Sequence, residues 1–317
     1  MSWHFCIAVS DSVGLGHLVR CRALQSMLPV DVLHYWIWSD WSIDRLSYYF
    51  ADMDFSVLPP DAPDLPEVPS ITGVLVDMPS PPHTLLDQLD SINHRVLLGC
   101  SNGNMSWADL VVNVAEGGSL LSEASDERVK PKVFEGAGFA LLRPQFLLGR
   151  QQPYNQNGPW LVMMGGTDSA RLTCPVVKAL LKAKFRSGRQ ILAVCSGHHP
   201  DFDELLSLEC SDFRLLTPNQ KVNVLLEEAS SVVLAPGNLL FESLALQTPA
   251  LAVAQNDRQR IDFQTYPWLL THFDEQEFLT RMEKLLSLEL TPWQQYAHDA
   301  QSGQYLHLLN DWFREHQ

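Results

Sequence analysis

Residues 5–24 read FCIAVSDSVGLGHLVRCRAL. An apolar run at 5–10 gives way to a turn with Gly14 and Gly16, and then to a helical stretch containing LVRCRAL. A run that is apolar on both faces is what a parallel strand covered by helices requires. The two glycines let the chain turn sharply and let a ligand approach the backbone. Strand, Gly-rich turn and helix together open a doubly wound α/β domain.

The same opening recurs downstream. WLVMMG (160–165) predicts a strand, GGTD (165–168) a Gly-rich turn, and PVVKAL a helix. Further strands are predicted at 32–38, 73–77, 95–99 and 110–114 in the first series, and at 191–196, 231–235 and 250–254 in the second. Helices are predicted at 17–28, 83–91, 170–184, 201–208, 220–229 and 239–247, and the tail 275–317 reads as helical and aromatic. The polar stretch GRQQPYNQNGP (149–159) separates the two series. The expected architecture is two Rossmann-like domains of the glycosyltransferase-B type, 1–149 and 150–317, with the last helices returning toward the first. Such a protein would bind its ligand in the cleft between the halves.

Composition narrows the partners. Hydrophobic residues are 46% and charged ones 19% of the 317 residues, the profile of a globular chain. The formal net charge of −15 argues against general binding to nucleic acid or anionic membrane, since both need a positive field. A diphosphate remains compatible, because backbone N–H groups at a helix start can hold it on an acidic protein. The six cysteines are scattered, with no C-x-x-C pair, and call for neither zinc nor disulfides. No cofactor or metal is implied. No transmembrane-length run or leader pattern is evident, so a cytoplasmic location is expected.

Three groups of residues carry chemistry. His17 falls in the first turn of the helix after Gly14 and Gly16, where the helix dipole favours the neutral imidazole that a general base needs; packing or capping is the plainer alternative. At Gly165, Gly166, Thr167 and Asp168, backbone N–H groups meet the mouth of the predicted cleft, although Asp168 taken alone fits an N-cap. Gly237 and Asn238 precede a helix whose N–H groups suit a diphosphate. Glu242, within that helix, is placed to accept ribose hydroxyls or to sit as a dipole charge on a solvated face. Asn256 and Gln259 follow the next strand, at the carboxyl edge where open sheets bind ligands.

The set G-x-G-H-x-x-R-C, GG-T-D, G-N…E and N-x-x-Q, with GFALLRPQF at 138–146, resembles the UDP-sugar hydrolases of pseudaminic acid biosynthesis, the PseG family, and the related SpsG group. More distantly it is similar to MurG-type glycosyltransferases. The resemblance implies metal-independent hydrolysis of a UDP-linked deoxy-amino sugar, with His17 activating water. Beside it, Asp77 is a candidate sugar contact, and a neighbouring carboxylate, Asp11 or Asp77, would orient His17. It places Gly166, Thr167, Asp168, Gly237, Asn238, Glu242 and Asn256 around the UDP-sugar. Where the family carries Asp-His-Tyr this chain has Asp77-Met78-Pro79, and the paired Asp after the next strand is replaced by Gly99-Cys100-Ser101-Asn102. An inverting glycosyltransferase and a non-catalytic nucleotide-sugar-binding protein are the competing readings.

Overall fold

The computed structural model describes residues 2–27, 31–67, 70–99, 104–114, 131–186, 188–217, 221–287 and 306–316. The chain forms two compact units, Met1–Leu141 with Gly303–Gln317, and Leu142–Ser302.

The first unit is a seven-stranded sheet ordered β3-β2-β1-β4-β5-β6-β7, and every pairing in it is parallel. Its strands are β1 (Ser2–Ala8), β2 (Asp31–Trp38), β3 (Phe55–Leu58), β4 (Gly73–Asp77), β5 (His94–Leu98), β6 (Leu110–Asn113) and β7 (Lys132–Glu135). β1 lies at the centre, and its alternation explains the unbroken apolar run in the sequence. Trp3, Phe5, Ile7 and Val9 enter one core with Leu18, Cys21 and Leu24 of helix α1 (Gly16–Gln25) and Leu46 and Phe50 of α2 (Ile43–Phe50). Cys6 points to the opposite core with Val74, Val76 and Leu85 and Leu86 of α3 (His83–Gln88). Successive strand side chains point to opposite faces, so a strand buried on both sides cannot alternate polar with apolar.

The second unit repeats this plan as a six-stranded parallel sheet, β10-β9-β8-β11-β12-β13. Its strands are β8 (Trp160–Met163), β9 (Ile191–Val194), β10 (Phe213–Leu216), β11 (Ser231–Leu234), β12 (Ala250–Val253) and β13 (Leu269–Leu270). Its helices include α4 (Pro144–Leu147), α5 (Thr173–Lys182), α6 (Phe202–Ser207), α7 (Val222–Glu228), α8 (Asn238–Ala245), α9 (Asp257–Asp262) and α10 (Glu275–Ser287). In each sheet the order reverses beside the first strand, between β1 and β4 and between β8 and β11. Such a reversal is where open α/β sheets bind ligands, outside the carboxyl ends of the strands.

One boundary falls elsewhere than the sequence expectation. The seam falls at Leu141/Leu142 and not within 149–159. The polar stretch looks like a linker but is fastened into the second unit. Arg150 donates from Nε to the Leu246 carbonyl, from Nη1 to the Glu227 carbonyl (both 2.6 Å) and from Nη2 to Thr248 Oγ1 (2.8 Å). The Tyr154 hydroxyl donates to the Ser230 carbonyl at 2.6 Å. At the other end, α10 stays with the second unit, and the C-terminal helix Leu306–Glu315 belongs to the first. There Leu309, Trp312 and Phe313 are buried, with the Phe313 ring 5.0 Å from that of Trp3.

Candidate functional site

The first sheet delivers two chemically active side chains to its reversal point. After β1 the backbone closes a tight turn: Gly14 N donates to the Ser10 carbonyl at 2.7 Å and Val13 N to Ser10 Oγ at 3.0 Å. Gly14 has φ +81°, a conformation that glycine adopts at little cost. The turn launches α1 at Gly16, which sets His17 in the first turn. On the neighbouring strand, Asp77 is the last residue of β4 and registers with Ile7 of β1.

Helical spacing does the rest. His17, Arg20 and Cys21 stand at i, i+3 and i+4, one face of α1. That face meets Asp77. His17 Nδ1 lies 2.6 Å from Asp77 Oδ1, Arg20 Nε donates to Oδ2 at 2.5 Å, and Arg20 Nη2 donates to Oδ1. Arg20 Nη2 is also 2.8 Å from His17 Nδ1, and the Cys21 thiol donates to Oδ2 at 3.4 Å. Asp77 has no exposed surface and His17 is 7% exposed.

Burial alone would raise the Asp77 carboxyl, but Arg20 and His17 outweigh it and hold it well below the usual carboxylate range. An ionised Asp77 can only accept. Nδ1 of His17 therefore carries the proton facing it, and Arg20 Nη2, also a donor, lies beside Nδ1 without bonding to it; whenever the ring is neutral, Nε2 is its basic nitrogen. Asp77, expected as a sugar contact, is wholly buried in this structure, with both oxygens engaged by His17, Arg20 and Cys21. Asp11, the other carboxylate expected to orient His17, accepts through Oδ1 from Trp41 Nε1 at 3.0 Å and Arg45 Nη2 at 2.8 Å. Of the positions where the chain departs from the PseG pattern, Cys100, Ser101 and Asn102 lie outside the described residues.

In the second unit, Gly165 and Gly166 form an exposed turn at the end of β8, with Thr167 half-buried. Asp168 turns inward and is 4% exposed. Its Oδ1 accepts from Leu172 N at 2.8 Å and Gln255 Nε2 at 3.1 Å; its Oδ2 accepts from Thr173 N at 2.8 Å and sits 3.1 Å from His199 Nε2. Asp201 N donates to His199 Nδ1 at 3.0 Å, so Nε2 holds the proton given to Asp168. Four partners fill this carboxylate, which makes Asp168 the cap of α5 and the knot joining the loops after β8, β9 and β12.

Across the reversal, α8 starts after Gly237, an N-cap residue with no side chain to bond the first turn. Glu242, one turn in, is 1% exposed. Arg143 grips both of its oxygens, Nε to Oε1 and Nη2 to Oε2 at 2.6 Å each, and Asn238 Nδ2 reaches Oε1 at 3.4 Å. Burial pushes the Glu242 carboxyl up, and Arg143 counters it. Glu242 is therefore neither on a solvated face nor open to ribose hydroxyls in this conformation. Asn256 caps α9, its Oδ1 accepting from Gln259 N at 2.9 Å, while Gln259 Oε1 accepts from Gln255 N at 2.8 Å. Both polar side chains thus shape the loop after β12. Each unit gathers its own predicted residues: Gly14, Gly16, His17 and Asp77 in the first, and Gly165–Asp168, Gly237, Asn238, Glu242, Asn256 and Gln259 in the second. The sequence reading assigned no role to Arg20, Arg143, His199 or Gln255. The first was signalled only by its i+3 spacing from His17 and the second by its place in LLRPQF; nothing marked the other two.

No family model matches the chain. An uncharacterized protein of Methanocaldococcus jannaschii is 25% identical over 169 residues, a match spanning half of this chain and 35% of that relative's length. Solved structures share the fold. The calicheamicin glycosyltransferase CalG4 aligns with a TM-score of 0.64 at 13% identity, covering 99% of this chain and 98% of that one. MurG of Acinetobacter baumannii gives 0.56 at 10% identity, with 99% and 100% covered. The UDP-GlcNAc 2-epimerase of Methanocaldococcus jannaschii, solved with UDP-GlcNAc and UDP, gives 0.56 at 12% identity over 97% and 100%. The class is thereby defined: two parallel-sheet α/β domains with the fold of GT-B glycosyltransferases.

Proposed function

We propose that the protein processes a nucleotide-sugar, with His17 as the general base. The observation that carries this reading is the buried His17–Asp77 pair at the reversal point of the first sheet, where an ionised carboxylate fixes the imidazole with Nε2 basic. The second unit holds the nucleoside diphosphate, on the exposed Gly165–Thr167 turn and the start of α8 after Gly237. The match of motifs to the PseG family favours a UDP-linked deoxy-amino sugar and water as nucleophile. Nε2 takes the proton as the water oxygen bonds to the anomeric carbon; the bond from that carbon to the diphosphate oxygen breaks, and UDP leaves with the electron pair. Backbone N–H groups at a helix start stabilise the charge growing on the leaving group.

A glycosyltransferase is the second reading, supported by the fold shared with CalG4 and MurG and by Met78-Pro79 where the hydrolase pattern has His-Tyr. His17 would then deprotonate an acceptor hydroxyl. The deciding experiment measures UDP release from a panel of UDP-sugars, with and without candidate acceptors, on the wild-type protein and His17→Asn. Release without acceptor that disappears in His17→Asn supports hydrolysis. Release only with acceptor supports transfer, and UDP binding without any turnover removes both.

A further inference from the structure

We infer that Arg20 is a positioning residue: clamped on both oxygens of Asp77 and against Nδ1 of His17, its guanidinium compensates the buried carboxylate and holds the imidazole as a neutral base. The inference rests on the reading of His17 as the base, but its first measurement does not depend on turnover.

The geometry sets this site apart from a plain histidine–carboxylate pair. In such a pair, a buried carboxylate beside imidazole favours the imidazolium and keeps the ring protonated well into the range where a base is needed. Here the cation is already present. Arg20 places Nε and Nη2 on Asp77 and Nη2 within 2.8 Å of His17 Nδ1, so a proton added to the ring would meet a fixed positive charge. Arg20 and Asp77 sum to zero charge, and the ring keeps its orientation without acquiring a proton.

Among the described residues, the other groups around the trio do not supply that compensation. Cys21 of α1 faces Asp77 and Cys6 of β1 lies behind it; burial pushes both thiols up, so they stay neutral. Asp77 is the charged group contributed by β4, and Asp11, in the turn before α1, is drawn to Arg45 of α2. β5 presents Gly99, at φ +61°, against the guanidinium; a Cβ there would come within 3.2 Å of Arg20 Nη2. The backbone thus leaves room for the arginine in this pose.

The test is a histidine NMR titration of ligand-free protein, with the His17 signal assigned through His17→Asn, on wild-type, Arg20→Gln and Arg20→Lys. An opposing charge at this range typically moves a neighbour by about 1–3 pH units. Removing Arg20 should move proton uptake by the His17–Asp77 pair upward by that amount, and Arg20→Lys, which keeps the charge without the fork, should restore part of it. In an active protein the acid limb of UDP release should move upward with it, with rates converging at high pH. An unchanged or lowered titration in Arg20→Gln overturns the inference; where that variant does not fold, so does a wild-type titration in Arg20→Lys. A shifted titration in a protein that turns over no UDP-sugar leaves the role of Arg20 standing and removes the proposed function.

Discussion

Nδ1 of His17 and Oδ1 of Asp77 stand 2.6 Å apart although 60 residues separate them in the chain. The parallel pairing of β1 with β4 produces this meeting, because it brings the turn after one strand beside the end of the other. Under the proposed function, replacing His17 by Asn removes the base and leaves the second unit untouched. UDP-sugar turnover should fall by about 10²–10⁴-fold, the usual contribution of general-base catalysis. UDP affinity, measured by calorimetry on the same preparation, should stay within about threefold, well under 1.4 kcal/mol.

Asp77 should make the first unit sensitive to acid. Its carboxyl is held well below the usual range in the folded protein, with burial opposing and Arg20 and His17 prevailing. A depressed folded value means that the stabilisation is fully present above the unfolded carboxylate value of about 3.9 and is lost as pH falls through the folded one. Denaturant midpoints for wild-type and Asp77→Asn should therefore differ most at neutral pH, begin to converge below about pH 4 and go on converging as pH falls toward the folded value. A constant difference down to pH 2 would show that Asp77 contributes no ionic stabilisation.

The central strands were legible and the edge strands were not. β1, β4, β8, β11 and β12 are buried on both faces and show as apolar runs. The strands that escaped sequence reading are β3, β7, β10 and β13, and these form the four edges of the two sheets. An edge strand such as Lys132–Glu135 is partly exposed and short, so no run or clean alternation marks it. The site divides similarly. Glycines and His17 announce themselves by residue type and spacing, whereas the partners that saturate Asp168 and Glu242, namely His199, Gln255 and Arg143, come from loops distant in sequence. Nothing local in the chain records such pairings.

Glu242 and Arg143 form a pair whose loss should be felt as stability. Breaking a buried ion pair from one side typically costs about 3–5 kcal/mol, and the figure is lower here because the Arg143 side chain is 28% exposed. Arg143→Ala should lower the urea midpoint by more than Glu242→Ala does, since the arginine left behind by the second change can reach water and the glutamate stranded by the first cannot. Equal midpoints for both variants and wild-type would remove the pair from the stability of the second unit.

Asp168 should behave as a cap and not as a ligand. Asp168→Ala loses two backbone N–H partners at the start of α5 and leaves His199 Nε2 without its acceptor, while Gln255 Nε2 keeps the Met164 carbonyl. Losing an N-cap costs about 0.5–2 kcal/mol, and the stranded buried donor adds about 1–3 kcal/mol. Melting temperature should drop clearly, and UDP affinity at a temperature where the variant is folded should change less than in Gly166→Val, which crowds the exposed turn.

The C-terminal helix should be required by the first unit and not by the second, which directly precedes it in the chain. Leu306–Glu315 follows the whole second unit, yet Leu309, Trp312 and Phe313 are each at most 2% exposed in the core of the first. Burying side chains of this size stabilises by about 1.5–3 kcal/mol each, so the helix contributes on the order of 5–9 kcal/mol to the first unit. That equals the net stability of many domains. A chain ending at residue 302 should therefore lose the cooperative unfolding of its first unit while the second still melts as a cooperative body. Differential scanning calorimetry would record one transition lost and one retained. Amide exchange would show β1 and β2 deprotected, with β8 and β11 still protected. Two intact transitions in the truncated chain would mean that Trp3 and its neighbours form a core without Phe313.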